Sequence, residues 1–353
     1  MNEQHHGVTA PPILAEFVRG TLTESRLRGH VAVVDADHGL VAAAGDPDLP
    51  VYFRSSAKPF QALPLIESGA ADRFGFTTEE LALACASHDA SARHQRIVRS
   101  MLSKIGLTDQ ALRCGFSEPL DKEAAARLTL GLDKQSPVQC ECSGKHAGML
   151  AVCVQEGFPT DSYLDIDHPL QQRILRHVAT ATGVAADDIV IGVDGCGVPT
   201  FGAPLSAFAR AYATLARNDI PALVRLRDAM TAHPELISGE SEIDTEVMRA
   251  SSGRVVAKLG AEGLLCLAVP AHGLGIAIKA DAGVERAHGP AVVRVLEQLD
   301  VLDDATLTSL REIYLAPVTN FAGKNVGEVR APLHLDLTIH REGAQASKPV
   351  DRS

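Results

Sequence analysis

Apolar positions cluster near both ends of the chain and follow a helical period in between. His30–Asp35 (HVAVVD) and Gly39–Ala44 (GLVAAA) are apolar runs split by Ala36-Asp37-His38, which predicts a hairpin close to the start. A second set of apolar runs, Arg254–Lys258, Leu264–Val269 and Leu274–Lys279, is separated by turns containing Gly260, Gly263 and Gly273. Turns this short imply antiparallel neighbours. Between the two sets, Ala90–Ile105, Lys145–Glu156, Pro169–Thr182, Phe201–Ala216 and Ile220–Ala232 carry the 3.6-residue period of helices with one buried face. Strands, then many helices, then strands predict an α+β fold. An antiparallel sheet joins the two ends of the chain, and helices flank it.

Residues 1–12 are polar and end in Pro11-Pro12, and residues 342–353 are polar again. Both are expected to be flexible tails around a single domain over 13–341, with room for two lobes. No low-complexity linker and no repeat of 20–50 residues interrupts that span.

Composition narrows the class. The chain has 353 residues, 46% hydrophobic and 22% charged, as a globular protein does. Its 33 basic and 44 acidic side chains give a net charge of −11, and no basic block stands out, so nucleic acid and anionic membrane are not expected partners. The first residues, MNEQHH, lack the charged and apolar regions of a secretory signal, and no apolar run reaches the length of a membrane span. A cytoplasmic location is expected. Seven cysteines is an odd number, and a reducing compartment disfavours disulfides. Each thiol then reads as core filler, metal ligand or nucleophile.

Five segments could carry chemistry. Ser55 and Lys58, in Arg54-Ser-Ser-Ala-Lys-Pro59, form an S-x-x-K spacing. At helical spacing, hydroxyl and amine share a face. Pro59 is tolerated only in a first turn, so a helix should start at about Ser56 with Ser55 at its N-terminus. A neutral lysine there could take the serine proton, the arrangement of serine β-lactamases and penicillin-binding proteins. Ser55 could equally be only a helix cap, and Lys58 only a surface charge. Cys85-Ala-Ser87-His88-Asp89 sits at a helix junction and reads as a capping turn or a cleft lining. Cys140-Glu-Cys142-Ser-Gly-Lys145-His146 brings two thiols, an amine and an imidazole within seven positions. Its C-x-C spacing is not that of common structural zinc sites, so a metal would need further ligands. The glycine-rich Asp194-Gly195-Cys196-Gly197 turn could supply one. Lys258 ends an apolar strand just before a glycine turn. Cys85, Cys114, Cys153 and Cys266 read as small buried hydrophobes.

Together these segments resemble the rhizobial-type, or class 3, L-asparaginases. The matching stretches are Arg54–Pro59, Cys85–His88, Cys142–Leu150, Asp194–Cys196 with Pro199-Thr200, and Lys258–Ala261, in the family's order. Shorter matches are Met101–Ile105 and His168-Pro169. The resemblance covers residues from about 30 to about 325. It implies a serine β-lactamase/glutaminase-like fold and the hydrolysis of L-asparagine to L-aspartate and ammonia through two Ser–Lys pairs. In that resemblance Ser55 is the nucleophile with Lys58 as its partner, and Ser87 pairs with Lys258. Arg54, His146, Asp194 and Gly195 contact the substrate. A zinc ion beside the site is held by Cys142, Lys145 and Cys196, and the chain forms a homodimer. Cys140 and Glu141 receive no role.

The chemistry of these side chains agrees in part with that scheme. An amide is a poor electrophile, so the serine needs a proton acceptor. Burial, or crowding two lysines together, lowers an amine's proton affinity and frees a base. Arg54 suits an α-carboxylate and Asp194 an α-amine. The stretch Ile237–Asp244 agrees with the family only through Gly239-Glu240, so the side-chain preference could shift toward glutamine or a β-aspartyl compound. The alternatives are a related Ser–Lys hydrolase (glutaminase, β-aspartyl amidase or β-lactamase-like) and a non-catalytic zinc- or amino-acid-binding protein.

Overall fold

The computed structural model describes residues 10–338. The strands are β1 (Ile13–Arg19), β2 (Leu22–Asp35), β3 (Gly39–Ala44), β4 (Pro50–Tyr52), β5 (Val190–Val193), β6 (Pro199–Pro204), β7 (Val256–Gly260), β8 (Leu264–Val269), β9 (Leu274–Ala280), β10 (Val318–Thr319), β11 (Asn325–Arg330) and β12 (Asp336–Leu337). The main sheet runs β10-β11-β1-β2-β9-β8-β7, with β3 on the far half of β2 and β12 on β3. Every pairing in it is antiparallel. The fold is α+β, as the order of apolar runs predicts.

β2 unites the sheet because its two halves differ in pattern. Leu22–Arg28 alternates between outward polar and inward positions and pairs with β1. His30–Val34 is buried throughout and lies between β3 and β9, with Val31 opposite Ile278 and Val33 opposite Ile276. A strand covered on both faces reads as a continuous apolar run, and one with a wet face alternates. The pairing of β2 with β9 joins the early strands to the later cluster β7–β9.

Helices cover the buried faces. The helix Leu205–Ala216 crosses β9 at Gly275, where an added Cβ would lie 1.9 Å from the Ala209 carbonyl oxygen. Pro169–Thr182 is a helix with the predicted bounds, and Ala92–Lys104, Ser143–Glu156 and Pro221–Ala232 fall within a few residues of theirs. Helix ends are the least determined part of such a reading.

One expectation fails. Phe201–Pro204 is strand, not the first turn of a helix. It belongs to a second, three-stranded sheet in the order β4-β6-β5. The hairpin partner at Val190–Val193 satisfies its backbone groups, and the helix begins only after Pro204. Pairing across distance overrides local period here. Residues 11 and 12 are also tied down, since Arg28 donates to the Pro11 carbonyl at 2.7 Å and Gly29 N–H to that of Pro12 at 3.1 Å. Residues 1–9 of the expected N-terminal tail and all of 342–353 lie outside the described residues. No helix among the described residues is long and apolar enough to cross a membrane.

Replacing Gly275 by alanine drives its Cβ into helix backbone that cannot yield without parting helix from sheet. We expect a loss of about 2–4 kcal/mol in urea unfolding. A loss below about 0.5 kcal/mol would contradict this packing.

Candidate active site

The Arg54–Lys58 turn is held from three sides. β4 delivers it, and Phe53 N–H donates to the Phe201 carbonyl of β6 at 2.8 Å. Phe53 stacks on Phe208 at 4.1 Å between centroids, and Phe60 and Tyr212 complete the aromatic group. Tyr212 donates its hydroxyl to the Ser56 carbonyl at 3.0 Å, and Ser56 Oγ donates to the Lys258 carbonyl at 2.9 Å. The turn is thereby fastened to β7. Its geometry is a single 3-10 turn over Arg54–Ala57, followed by the α-helix Lys58–Gln61 with Pro59 in its first turn. Arg54 has φ +47°, a region that costs a side-chain-bearing residue energy, and such strain collects at functional sites.

Lys58 is completely buried and donates to Ser87 Oγ at 2.6 Å. Ser55 is half-buried on the same turn as Lys58. The lysine beside the first serine therefore contacts the second one. Lys258, also completely buried, is not bonded to Ser87. It donates to Asp244 Oδ2 at 3.1 Å and to the Leu259 carbonyl at 2.9 Å. The two predicted pairs thus meet in one cluster, with a different bonding pattern from the one the resemblance implies. Burial lowers the proton affinity of Lys258, Asp244 opposes that, and the charge of Lys58 adds to the lowering.

The helix Ser143–Glu156 supplies the next wall. Gly144 sits against the helix Thr78–Ala84, where a Cβ would lie 2.4 Å from the Leu83 carbonyl oxygen. This close approach sets Lys145 and His146 beside the segment Cys85–Asp89. His88 accepts the Ala90 N–H on Nδ1 at 3.1 Å and donates Nε2–H to Ser143 Oγ at 2.9 Å. Burial holds it neutral, far below the usual histidine range. His146 faces Tyr163, whose hydroxyl accepts the Arg113 N–H at 2.9 Å. The Tyr163 proton therefore goes to His146 Nδ1, at 2.8 Å, and the imidazole proton sits on Nε2. That Nε2–H is buried without a partner among the described residues, a donor available to a ligand. Burial pushes His146 down to about 3.

Asp194 opens the five-residue turn between β5 and β6, closed by Asp194 N–H to the Val198 carbonyl at 2.9 Å and by Gly197 at φ +88°. Arg54 Nε donates to Asp194 Oδ1 at 2.9 Å, and the Gly195 N–H donates to the same oxygen at 2.9 Å. The bond uses one guanidinium nitrogen and one carboxylate oxygen. Both groups keep a face for a zwitterionic ligand.

Cys142, Lys145 and Cys196 also converge. Lys145 Nζ lies 3.2 Å from Cys196 Sγ, the Cys142 and Cys196 side chains influence one another's proton affinity, and all three side chains are buried. The neighbouring Cys140 and Cys196 side chains hold the Cys142 thiol well below its usual range, against the effect of burial. Burial would discharge Lys145, and the two cysteines outweigh it and keep the ammonium. Two sulfurs and an amine are a donor set suited to a thiophilic dication, which would displace the ammonium proton. No group of three or more His, Cys, Asp or Glu among the described residues adds a further site of that kind.

The predicted residues therefore come together from five separated segments. Two residues that sequence reasoning passed over are Tyr163, for which no signal exists, and Asp244, whose only signal was its place in an ill-matched stretch. A cavity of about 700 Å³ lies elsewhere, between the helices Ala92–Lys104 and Lys122–Thr129, and is lined by none of these residues.

A family model described as L-asparaginase II matches residues 15–331. No curated protein sequence matches the chain. Among solved structures, that of Mglu in its native form is 16% identical and covers 78% of this chain and 66% of its own, with a TM-score of 0.36. This chain thus spans just under two thirds of that protein's length. A beta-lactamase from Mycobacterium bovis is 12% identical and covers 78% of this chain and 95% of its own, with a TM-score of 0.37.

Three histidines, His88, His146 and His288, are buried and neutral, and burial brings the last down to about 4. An unfolded histidine takes a proton near pH 6.5, so the folded state holds its full advantage above that pH and loses it as pH falls toward the folded values. Unfolding free energy should drop by about 1.4 kcal/mol per pH unit per histidine below pH 6. Urea unfolding at pH 7, 6 and 5 measures it, and a flat profile would refute the neutral assignments.

Proposed function

The chain belongs to the L-asparaginase II family, an asparaginase-type hydrolase of a small-molecule substrate, and on that premise we propose that it hydrolyses L-asparagine to L-aspartate and ammonia with Ser55 as nucleophile. Buried Lys58, on the same turn as Ser55, contacts Ser87 Oγ at 2.6 Å, and that is the observation that carries this reading.

In this scheme the Arg54 guanidinium and the Asp194 carboxylate bind the α-carboxylate and α-amine of the substrate. The Nε2–H of His146 donates to a ligand oxygen. Lys58, in its neutral form, takes the Ser55 proton as Oγ attacks the side-chain amide carbon. Ser87, bonded to Lys58, passes a proton on to the amide nitrogen as the C–N bond breaks. Ammonia leaves, and the aspartyl group stays on Ser55 as an ester. Water then attacks that ester through the same groups in reverse, returning the proton to Ser55 Oγ and releasing aspartate. Lys258 places a second amine near Lys58, and the charge of Lys58 makes the Lys258 proton easier to lose.

Zinc would be held by Cys142, Lys145 and Cys196. When bound it supplies a fixed positive charge that ties the start of the helix Ser143–Glu156 to the Asp194–Val198 turn. No step of the scheme passes through it. A homodimer and a cytoplasmic location complete the proposal.

Ser55→Ala should cut ammonia release from asparagine by at least about 1,000-fold while leaving thermal unfolding unchanged. Full activity in that variant would remove Ser55 from the reaction. Asparagine, glutamine and a chromogenic β-lactam, compared at equal concentration, assign the substrate, and turnover of none of them would favour a binding protein. Cys142→Ser and Cys196→Ser should each lose zinc by metal analysis. Unchanged zinc content in both would overturn the metal assignment.

A further inference from the structure

Asp244 carries none of the roles assigned above, yet its carboxylate is completely buried and fully engaged. Oδ1 accepts the Leu259 N–H at 2.8 Å. Oδ2 accepts the Ser238 hydroxyl at 2.6 Å and Lys258 Nζ at 3.1 Å. A buried carboxylate is tolerated only with such a set of donors, and three donors from three directions also fix its plane. Asp244 lies in the first turn of the helix Ile243–Ala250, where the aligned peptide dipoles favour a negative charge. The anchor for Lys258 is therefore rigid. With a second N–H held by the Leu259 carbonyl, the ammonium has one donor left.

The same stretch reaches the other side of the site. The Ile237 carbonyl, one residue before Ser238, accepts the Ser87 N–H at 2.7 Å. At Gly239, with φ +149°, an added Cβ would lie 2.7 Å from Asp89 Oδ2. Residues 237–244 thus form a bracket. One end holds the backbone of Ser87, and the other, through Ser238 and Asp244, holds the amine of Lys258.

We propose that Asp244 and Ser238 are positioning residues that fix Lys258 relative to Ser87, and that they act on the reaction only through Lys258. The inference rests on the catalytic reading above. It gives a task to the stretch that matches the family least well. A serine and a lysine 171 positions apart in sequence (258 − 87) need a shared reference in space, and this bracket supplies it.

The test is a double-mutant cycle on the full-length chain, with kcat, KM and thermal unfolding read for each variant. Asp244→Asn should lower kcat by about 100-fold with KM changed less than about threefold, since a displaced group costs that much without altering binding. Asp244→Glu should recover part of the loss, and Ser238→Ala should cost about tenfold or less. In a Lys258→Met background, Asp244→Asn should cost less than about twofold. Asp244→Asn alone strands a buried cation and should lower Tm by roughly 5 °C or more, whereas the double variant should regain most of it. An active wild type in which Asp244→Asn costs as much with Met at 258 as with lysine overturns the proposal. A Tm that falls additively in the double variant overturns it too, and that readout needs no turnover. A wild-type chain inert toward asparagine overturns the substrate reading instead, and the thermal cycle then decides the pairing by itself.

Discussion

Lys58, Lys145 and Lys258 are buried in the same region of the molecule, at 0%, 2% and 0% exposure, and finding partners for their amines organises everything around them. A buried ammonium without a partner is too costly to persist. Each lysine meets a group from a distant segment, Ser87 for Lys58, Cys196 for Lys145 and Asp244 for Lys258. Each partner has a different chemistry, a hydroxyl, a thiol and a carboxylate. The three amines therefore sit in three different electrostatic settings within one site, and the charge of Lys58 reaches both His146 and Lys258.

The partners arrive because the backbone brings their segments within reach. β2 pairs with β9 and so joins the early strands to the β7–β9 cluster, which sets β7 and Lys258 beside the Arg54–Lys58 turn. The small sheet β4-β6-β5 holds Arg54 against Asp194. Gly144 lets two helices approach closely, and beside it Ser143 accepts the His88 Nε2–H. The polar cluster is in turn enclosed by apolar packing, with the aromatic group of Phe53, Phe60, Phe208 and Tyr212 behind the first serine. Low local polarity strengthens every hydrogen bond made there and penalises every one left unmade.

Much of this could be read along the chain. The β2–β3 hairpin, the β7–β9 cluster and the helix Pro169–Thr182 follow from period and glycine turns alone. The small sheet was not legible. Its strands are three, four and six residues long, β4 pairs with β6 over a gap of about 150 positions, and Pro199–Pro204 carries no alternation that local sequence could reveal. The role of Tyr163 was equally hidden, because a lone tyrosine in a turn has no pattern, and only its bond to His146 fixes which imidazole nitrogen carries the proton.

The sequence by itself determined the inventory. It supplied two serines, three lysines, a histidine, an aspartate, an arginine and the thiols at spacings that make a hydrolytic site chemically sensible, together with an α+β order of elements. Spacing also put Ser55 and Lys58 on one turn, since Pro59 and a three-residue interval leave little choice. Only the tertiary structure decided which amine meets which oxygen. Lys58 bonds Ser87 and Lys258 bonds Asp244, although the family resemblance implied a different pairing. The physical reason is that hydrogen bonds are resolved at tenths of an ångström by packing between remote segments. Sequence spacing constrains only neighbours along one strand or helix.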